Sequence, residues 1–371
     1  MTQGKSLLIL ANDSKSILDF RWSLIEQCLN LGWQVTIVCN QDPYFSTLQA
    51  KALQSNITVL PLDFVNGGID PFKDLSLIAK IRRLYKKIRP THVLLYRIKP
   101  VLYGALASYG LPVKIISTIT GLGYVYTDQS KKARLLRGIT NALYKWALWR
   151  NAWVFFQNKD DQQTFIELHL VSPHQSSVVG GSGVSLTEFP QTPLPKSMSF
   201  VMVARLLKDK GVWEYLQAAA QLKRIYPHID FKLVGGESKN PTAIPIAEII
   251  NFCKNYNLSY LGHQDSVLSV LQGSSVFVLP SYREGMPRSG LEALSVGRPL
   301  ITTDTEGCRD LIRENGLIIP IKDTLALMQA MQSFIEDPKH LSEMAQASRQ
   351  LAEQVFDVRL VNEAMLAKLN Y

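Results

Sequence analysis

The chain has 371 residues, 46% hydrophobic and 19% charged, a globular composition on a length that calls for two domains rather than one core. Its net charge of +9 is unevenly placed: residues 1–190 hold 21 Lys+Arg against 12 Asp+Glu, and residues 191–371 hold 19 of each. A basic half and a neutral half exclude a uniformly acidic or evenly balanced surface, and the basic half wants an anionic partner such as nucleic acid, an anionic membrane or a phosphorylated acceptor.

The opening MTQGKSLLIL has too short an apolar core for a signal peptide and runs directly into a strand pattern. No uninterrupted apolar run approaches the ~20 residues of a membrane span. Strands are predicted at Ser6–Leu10, Gln34–Cys39, Ile57–Leu60, His92–Tyr96, Val113–Thr118, Trp153–Gln157 and Ser177–Val179, with helical periodicity between them, as in Ile17–Leu31 and Leu75–Ile88. This alternation argues for a parallel sheet covered on both faces, with ligands at the C-terminal ends of its strands. Two loops lie at such ends. One is Ala11–Ser16, where Ser14 and Lys15 offer polar side chains; the other is Thr118–Tyr124, with Thr120, Gly121 and Gly123. Each also reads as plain punctuation, a polar helix cap and a tight glycine turn.

Two basic-aromatic stretches account for much of the charge excess. They are Lys80–Arg89 and the segment Lys131–Trp153, in which Tyr144, Trp146 and Trp149 alternate with Arg134, Arg137, Lys145 and Arg150. Helical spacing sends apolar and basic side chains to different faces, the pattern of a helix that is either solvated or resting on anionic lipid. Cys28, Cys39, Cys253 and Cys308 lack C-x-x-C spacing, so reduced, buried thiols in a cytoplasmic protein are expected, without a zinc site.

The stretch 186–199, LTEFPQTPLPKSMS, has three prolines and no regular period, and is the best domain boundary. It is preceded by Gly180-Gly181-Ser182-Gly183-Val184-Ser185. A buried-strand run, Phe200–Ala204, follows it, then Arg205, Lys210 and Gly211 and a helical pattern over Val212–Ile225. Phe231–Val234 is another strand, ending in Gly235 and Gly236; a short strand at Leu258–Leu261 leads to Gly262 and His263. Val276–Leu279 is a strand stopped by Pro280. After it come Glu284, Gly285 and Met286, then a helix that Pro287 opens and Gly297 ends. The free N–H groups of that helix start favour an anion, usually a phosphate. Glu292 lies eight positions after Glu284, inside the helix. Pro299–Thr303 is a further strand, followed by Asp304 and Glu306, which are not read as a D-x-D metal site. Phe356–Leu369 reads as a helix crossing back onto the first domain. No G-x-x-x-x-G-K-[ST] or G-x-G-x-x-G sequence supports an ATPase or a dehydrogenase.

The stretch from Leu279 to Gly297 resembles the E-x7-E motif of the two-domain retaining glycosyltransferases of family 4, and Arg205–Gly211 resembles that family's R-L-x3-K-G segment. The likeness is specific over residues 198–312 and looser over 1–185. It implies an α/β fold of the GT-B class, two facing Rossmann-like domains with an interdomain cleft. The domains expected are 1–185 for the acceptor, a linker at 186–199, 200–355 for the nucleotide-sugar donor, and a C-terminal helix at 356–371. It implies that Arg205 and Lys210 stabilise a departing diphosphate, that Glu284 meets donor-sugar hydroxyls and that Glu292 binds the ribose. Gly285, Met286 and Arg288 would line the sugar and phosphate site through their backbone, Gly235 would let the nucleotide approach backbone, and Gly262 and His263 would form the base-binding edge, where His263 either stacks on uracil or has no role. On the acceptor side the resemblance points to Ser14, Lys15, Thr120 and Gly121. Family members often carry glycines where this chain has Asn12–Ser16, and a histidine at Thr120, so no catalytic histidine is assigned. Ser185 stands where an aspartate is usual.

The implied activity is transfer of a hexose or N-acetylhexosamine from a UDP-sugar, with retention and without a metal or other cofactor. The implied acceptor is a lipid-diphosphate-linked saccharide of bacterial glycan synthesis, met at the cytoplasmic face of the membrane through the basic first domain; nucleic acid is not an expected partner. Two rivals stand beside it. A UDP-sugar 2-epimerase on the same architecture would release a free epimer without acceptor. A non-enzymatic basic module would bind polyanions or membranes in a salt-sensitive way.

Overall fold

The computed structural model describes residues 4–64, 70–122, 126, 131–238, 240 and 242–370. Gly123 and Tyr124 of the glycine turn lie outside the described residues. The chain divides into two units, residues 1–182 with 361–371, and residues 183–360.

Unit 1 alternates strand and helix: β1 (Ser6–Leu10), α1 (Ser14–Phe20), α2 (Trp22–Asn30), β2 (Gln34–Cys39), α3 (Phe45–Gln54), β3 (Thr58–Pro61), α4 (Pro71–Ile88), β4 (His92–Tyr96), α5 (Ile98–Ala107), β5 (Lys114–Ile119), α6 (Lys131–Leu148), β6 (Trp153–Phe156), α7 (Lys159–Glu167) and β7 (Ser176–Val178). The strands pair in parallel in the order β3-β2-β1-β4-β5-β6-β7. β1 shows why an unbroken apolar run makes such a strand. Leu7 and Ile9 join the core on one face of the sheet, and Leu8 and Leu10 join the core on the other. Successive strand side chains point to opposite faces, so both must be apolar when helices cover both.

The structure shifts several boundaries. Periodicity suggested one helix over Ile17–Leu31, but the backbone leaves helical geometry at Arg21 (φ −125°, ψ −11°), splitting it into α1 and α2. The buried Arg21 guanidinium sits 4.0 Å from the centroid of the Tyr96 ring, a contact that anchors the residue where the helix breaks. Ser14–Ser16, expected in a loop, form the first turn of α1, capped by Asp13, whose carboxylate accepts the Ser16 N–H at 2.7 Å. α4 starts at Pro71, ahead of the predicted Leu75, because Asp70 caps it and proline suits the first helical position.

Unit 2 contains β8 (Ser199–Val203), α8 (Val212–Ile225), β9 (Asp230–Val234), α9 (Ile246–Tyr256), β10 (Ser259–Tyr260), α10 (Leu268–Gln272), β11 (Val276–Leu279), α11 (Arg288–Val296), β12 (Leu300–Thr303), β13 (Gly316–Ile319), α12 (Thr324–Glu336) and α13 (Leu341–Leu351). Its parallel sheet runs β10-β9-β8-β11-β12-β13. The proline-containing segment 186–199 lies on this unit, with Leu186, Phe189, Leu194 and Met198 against its core. Buried Arg298 donates to the carbonyls of Thr192 and Pro193. A π-helical turn (Ala352–Phe356) precedes α14 (Val358–Asn370). From α14, Val361, Met365 and Leu369, spaced four apart on one face, complete a core of unit 1.

Both sheets are doubly wound. In unit 1 the chain winds from β1 through β2 to β3 and then crosses to β4, leaving β1 and β4 as neighbours; in unit 2 the same reversal falls between β8 and β11. Connections leave to opposite sides at such a point, and a crevice opens at the C-terminal ends of the two strands. Among the described residues no helix is long and apolar enough to cross a membrane.

Candidate active site

The crevice of unit 2 is built from the loops after β8 and β11. After β8 comes Arg205, exposed, then a short 3₁₀ turn over Lys208–Lys210. Gly211 closes that turn at φ +71°, and a Cβ there would fall 2.1 Å from the Pro280 carbonyl oxygen. Only glycine permits both the conformation and the approach. The close approach sets Lys210, 8% exposed, against the loop after β11, where its Nζ lies 2.6 Å from Glu284 Oε1. Ser281 Oγ donates to the same carboxylate oxygen at 3.0 Å. Tyr282 N–H donates to the Asp209 carbonyl at 2.9 Å, stitching the two loops through their backbones.

A third loop holds the second in place. Thr303 Oγ1 donates to the Ser281 carbonyl and Thr305 Oγ1 to the Tyr282 carbonyl, the latter at 2.9 Å. Glu284 N–H donates to the Glu306 carbonyl at 3.2 Å, and Arg283 Nη1 lies 3.2 Å from Glu306 Oε1. Gly307, at φ +72°, presses so closely that a Cβ would lie 2.4 Å from the Gly285 carbonyl oxygen. Burial alone would raise the Glu306 carboxyl. Hydrogen bonds from its own N–H and from Thr305, with the charges of Arg283 and Arg309, outweigh burial and hold it below the usual carboxylate range. Glu306, given no part in the site on sequence grounds, thus backs the loop that bears Glu284. Linear sequence offered only one signal for this, a glycine soon after a strand end. Cys308 belongs to the same loop; burial pushes its thiol up to about 12, so it is an inert packing group.

Pro287 is the cap of α11 rather than its first residue, with extended backbone (φ −73°, ψ 112°), and Gly297 ends the helix at φ +80°. Arg288 Nε donates to Glu292 Oε1 at 2.9 Å and Arg288 Nη1 to the Gly183 carbonyl at 2.6 Å. Only the backbone of Arg288 was expected to matter; its side chain in fact clamps Glu292. Besides Arg283–Glu306, the structure therefore pairs Lys210 with Glu284 and Arg288 with Glu292, and places Arg205 on the loop leading to Lys210.

Gly235, Gly262 and His263 come together at the ends of β9 and β10. Gly235 N–H donates to the Gly262 carbonyl at 2.9 Å, and the Tyr260 hydroxyl to the Gly235 carbonyl at 2.8 Å. A Cβ on Gly235 would lie 2.2 Å from the Ala204 carbonyl oxygen, so this floor admits no side chain. His263 borders it at Gly236 and is itself exposed. Met286 packs half-buried against the core.

The residues expected on the acceptor side belong to unit 1. Thr120 and Gly121 follow β5 and are half-buried. Ser14 is fully buried: its N–H donates to Asp42 at 2.7 Å, and its hydroxyl lies 3.2 Å from the Asn40 carbonyl, which accepts from it. It is thus a packing residue rather than a ligand contact, because it sits inside the first turn of α1 instead of on a loop. Lys15 is exposed, paired with Asp19 at 3.0 Å and 4.8 Å from the Tyr44 ring centroid. Among the described residues no group of three or more His, Cys, Asp or Glu side chains is arranged to hold a metal ion.

Residues 185–351 match the family described as glycosyl transferases group 1, and residues 6–158 match the glycosyl transferase 4-like family. The chain belongs to these family 4, GT-B glycosyltransferases. This glycosyltransferase is 27% identical, over 96% of each chain, to the N,N'-diacetylbacillosaminyl-diphospho-undecaprenol alpha-1,3-N-acetylgalactosaminyltransferase of Campylobacter jejuni. It is also 27% identical to the UDP-Gal:alpha-D-GlcNAc-diphosphoundecaprenol alpha-1,3-galactosyltransferase of Escherichia coli, over 78% of each chain. Among solved structures, sucrose-phosphate synthase of Thermosynechococcus elongatus superposes with a TM-score of 0.79 at 18% identity, covering 99% of this chain and 98% of that one. Anabaena HepE in complex with UDP-glucose does so at 0.78 and 16% identity, covering 98% and 99%. At these identities the structural likeness concerns the fold.

Proposed function

We propose that this glycosyltransferase moves a hexose or N-acetylhexosamine from a UDP-sugar, with retained configuration, onto a saccharide joined to a lipid through a diphosphate. The observation that carries the reading is the Lys210–Glu284 pair, held across the switch point of unit 2 by backbone contacts that only Gly211 and Gly307 allow. The two relatives named for diphospho-undecaprenol acceptors support the acceptor class.

In this reading the donor diphosphate replaces Glu284 as the partner of Lys210 and engages Arg205. Glu284, released, accepts hydroxyls of the donor sugar. The bond from the anomeric carbon to the phosphate oxygen breaks while a bond to the acceptor oxygen forms on the same face. The departing phosphate oxygen takes the acceptor proton. Negative charge grows on the diphosphate as this happens, and the positive charges of Arg205 and Lys210 meet it, which is where electrostatic stabilisation acts most strongly. The backbone of Gly285, Met286 and Arg288 at the start of α11 lies beside the sugar and phosphates. Glu292 takes the ribose hydroxyls, oriented by Arg288. Gly235, Gly262 and His263 form the floor for uracil. Thr120, Gly121 and Lys15 serve the acceptor in unit 1, with two protein cations rather than a divalent ion meeting the diphosphate charge.

The chain would work at the cytoplasmic membrane face, held there by α6. From that helix and the residues just after it, Leu135, Ile139, Trp146 and Trp149 are 46–73% exposed, beside exposed Arg134, Lys145 and Arg150. Residues 131–150 include no acidic side chain. Such a face suits the interface of an anionic bilayer.

The deciding experiment incubates the chain with a panel of UDP-sugars, with and without an undecaprenyl-diphosphate-linked saccharide, and reads the anomeric configuration of the product by NMR. Acceptor-dependent transfer with retention is expected. An inverted linkage, or release of a free epimer without acceptor, would overturn the reading.

A further inference from the structure

Unit 1 has a switch point of its own, between β1 and β4, and it too is bridged by an ion pair. Arg97 directly follows β4, and its Nη2 lies 3.0 Å from Oδ2 of Asp13, three residues past β1. The backbone of Arg97 stands at φ 71°, ψ 167°. That region belongs essentially to glycine, and a residue with a Cβ stays there only when its surroundings hold it. Among the described residues the other non-glycine positions with positive φ lie at 52–58°, and those whose ψ is given, Arg89 and Asn257, are ordinary left-handed ends of helices. Arg97 is different in kind.

Nothing in the packing of unit 1 asks for this side chain. It is half exposed, with 50% of its side-chain surface accessible, and fills no core. Its carbonyl accepts the Val101 N–H at 3.0 Å to start α5, a bond glycine would make equally well. An ion pair this exposed contributes little to stability and does not offset a strained backbone. What the arginine adds is a guanidinium at the mouth of the crevice where doubly wound sheets take their ligands. Asp13 is itself immobilised, its other oxygen capping α1 at Ser16. A second guanidinium, that of Arg21, is buried beside the same strand end over the Tyr96 ring.

Resting on the acceptor class proposed above, we infer that Arg97 is the diphosphate-binding residue of unit 1. It leaves Asp13 and takes two oxygens of the acceptor's diphosphate in its planar fork. The arrangement parallels unit 2, where the cation after one switch-point strand waits on the carboxylate after the other.

The test compares two acceptors on the full chain with the UDP-sugar it turns over: the undecaprenyl-diphosphate-linked saccharide and the same saccharide as an alkyl glycoside without phosphate. Arg97→Gly should raise KM for the first at least tenfold, leave kcat/KM for the second within twofold, and melt no lower than wild type. Arg97→Gln, which keeps the bulk and the strained backbone, should lose the same preference. Equal losses on both acceptors, or no loss on either, would overturn the assignment. If wild type itself shows no preference for the diphosphate acceptor, the acceptor class is wrong and the role of Arg97 falls with it, a result distinguishable because it precedes any variant.

Discussion

The two switch points use the same topology with opposite economy of backbone. In unit 2, glycine takes the left-handed position (Gly211), the neighbouring Lys210 is buried, and its pair with Glu284 measures 2.6 Å. In unit 1, Arg97 takes the awkward position itself, and its pair with Asp13 measures 3.0 Å at a half-exposed site. Unit 2 is also backed by a further loop through Thr303, Thr305 and Glu306. A site that must hold fixed charges against a transition state gains from rigid backing. Under the proposed function, a crevice that admits a long acceptor gains from a charge near solvent. The difference teaches that the same topological position can hold its ion pair either buried and backed or open to solvent, and the proposed function assigns the chemistry to the first.

The comparison breaks most sharply at Lys210. Lys210→Ala should lower kcat by about 10²–10³, roughly 3–4 kcal/mol, if it meets developing charge. Steady-state kinetics with saturating donor check this, and near-normal turnover would mean that unit 2 is no more committed to chemistry than unit 1.

The next effect distinguishes the units by pH. Buried His92 in β4 has its pKa lowered to about 4, chiefly by burial and then by repulsion from Lys114 and Lys5. The unfolded chain takes up a proton near pH 6.5. Stability is therefore complete above about pH 6.5 and is lost progressively as pH falls towards 4, by about 3 kcal/mol at most. The described histidines of unit 2, His228, His263 and His340, are exposed, so unit 1 should melt first on acidification. Calorimetry between pH 7 and 4 should show this, with the separation reduced in His92→Asn.

Gly307→Ala tests the backing loop. A Cβ 2.4 Å from the Gly285 carbonyl must displace the segment bearing Glu284, and a misplacement approaching 1 Å costs roughly 10–10² in rate. Turnover should fall while the far-UV spectrum is unchanged; an unaltered rate would show that the loop after β12 only packs. Smallest in stability is Trp146→Ala with Trp149→Ala. Both side chains are exposed, so the melting curve should shift by no more than about 0.5 kcal/mol in equivalent stability, while binding to anionic vesicles in a flotation assay falls severalfold. Undiminished flotation would remove α6 as the contact.

Several features were legible without coordinates because they rest on local chemistry. Val276–Leu279 is apolar on both faces and stops at a proline, so β11 was readable to the residue. Gly297, at the end of a periodic segment, marked the end of α11. The break at Arg21 was not legible, because the apolar period runs through it and the ring that holds the guanidinium belongs to a strand seventy-odd positions away. Ser14 was misread for a related reason: a polar residue after a strand looks like a loop until the Asp13 cap shows that the helix has already begun. The support from Glu306 and Gly307 and the clamp of Arg288 on Glu292 depend on distances between backbones, which composition does not encode.

By itself the sequence determined two alternating α/β halves, the charge asymmetry between them, and the spacing of the carboxylates and cations proposed for a diphosphate, since apolar period, turn residues and side-chain chemistry are properties of neighbours along the chain. Only the tertiary structure decided which cation meets which carboxylate and which strand ends face each other. Those pairings follow from the order in which strands enter each sheet, and that order is set by packing across the whole core.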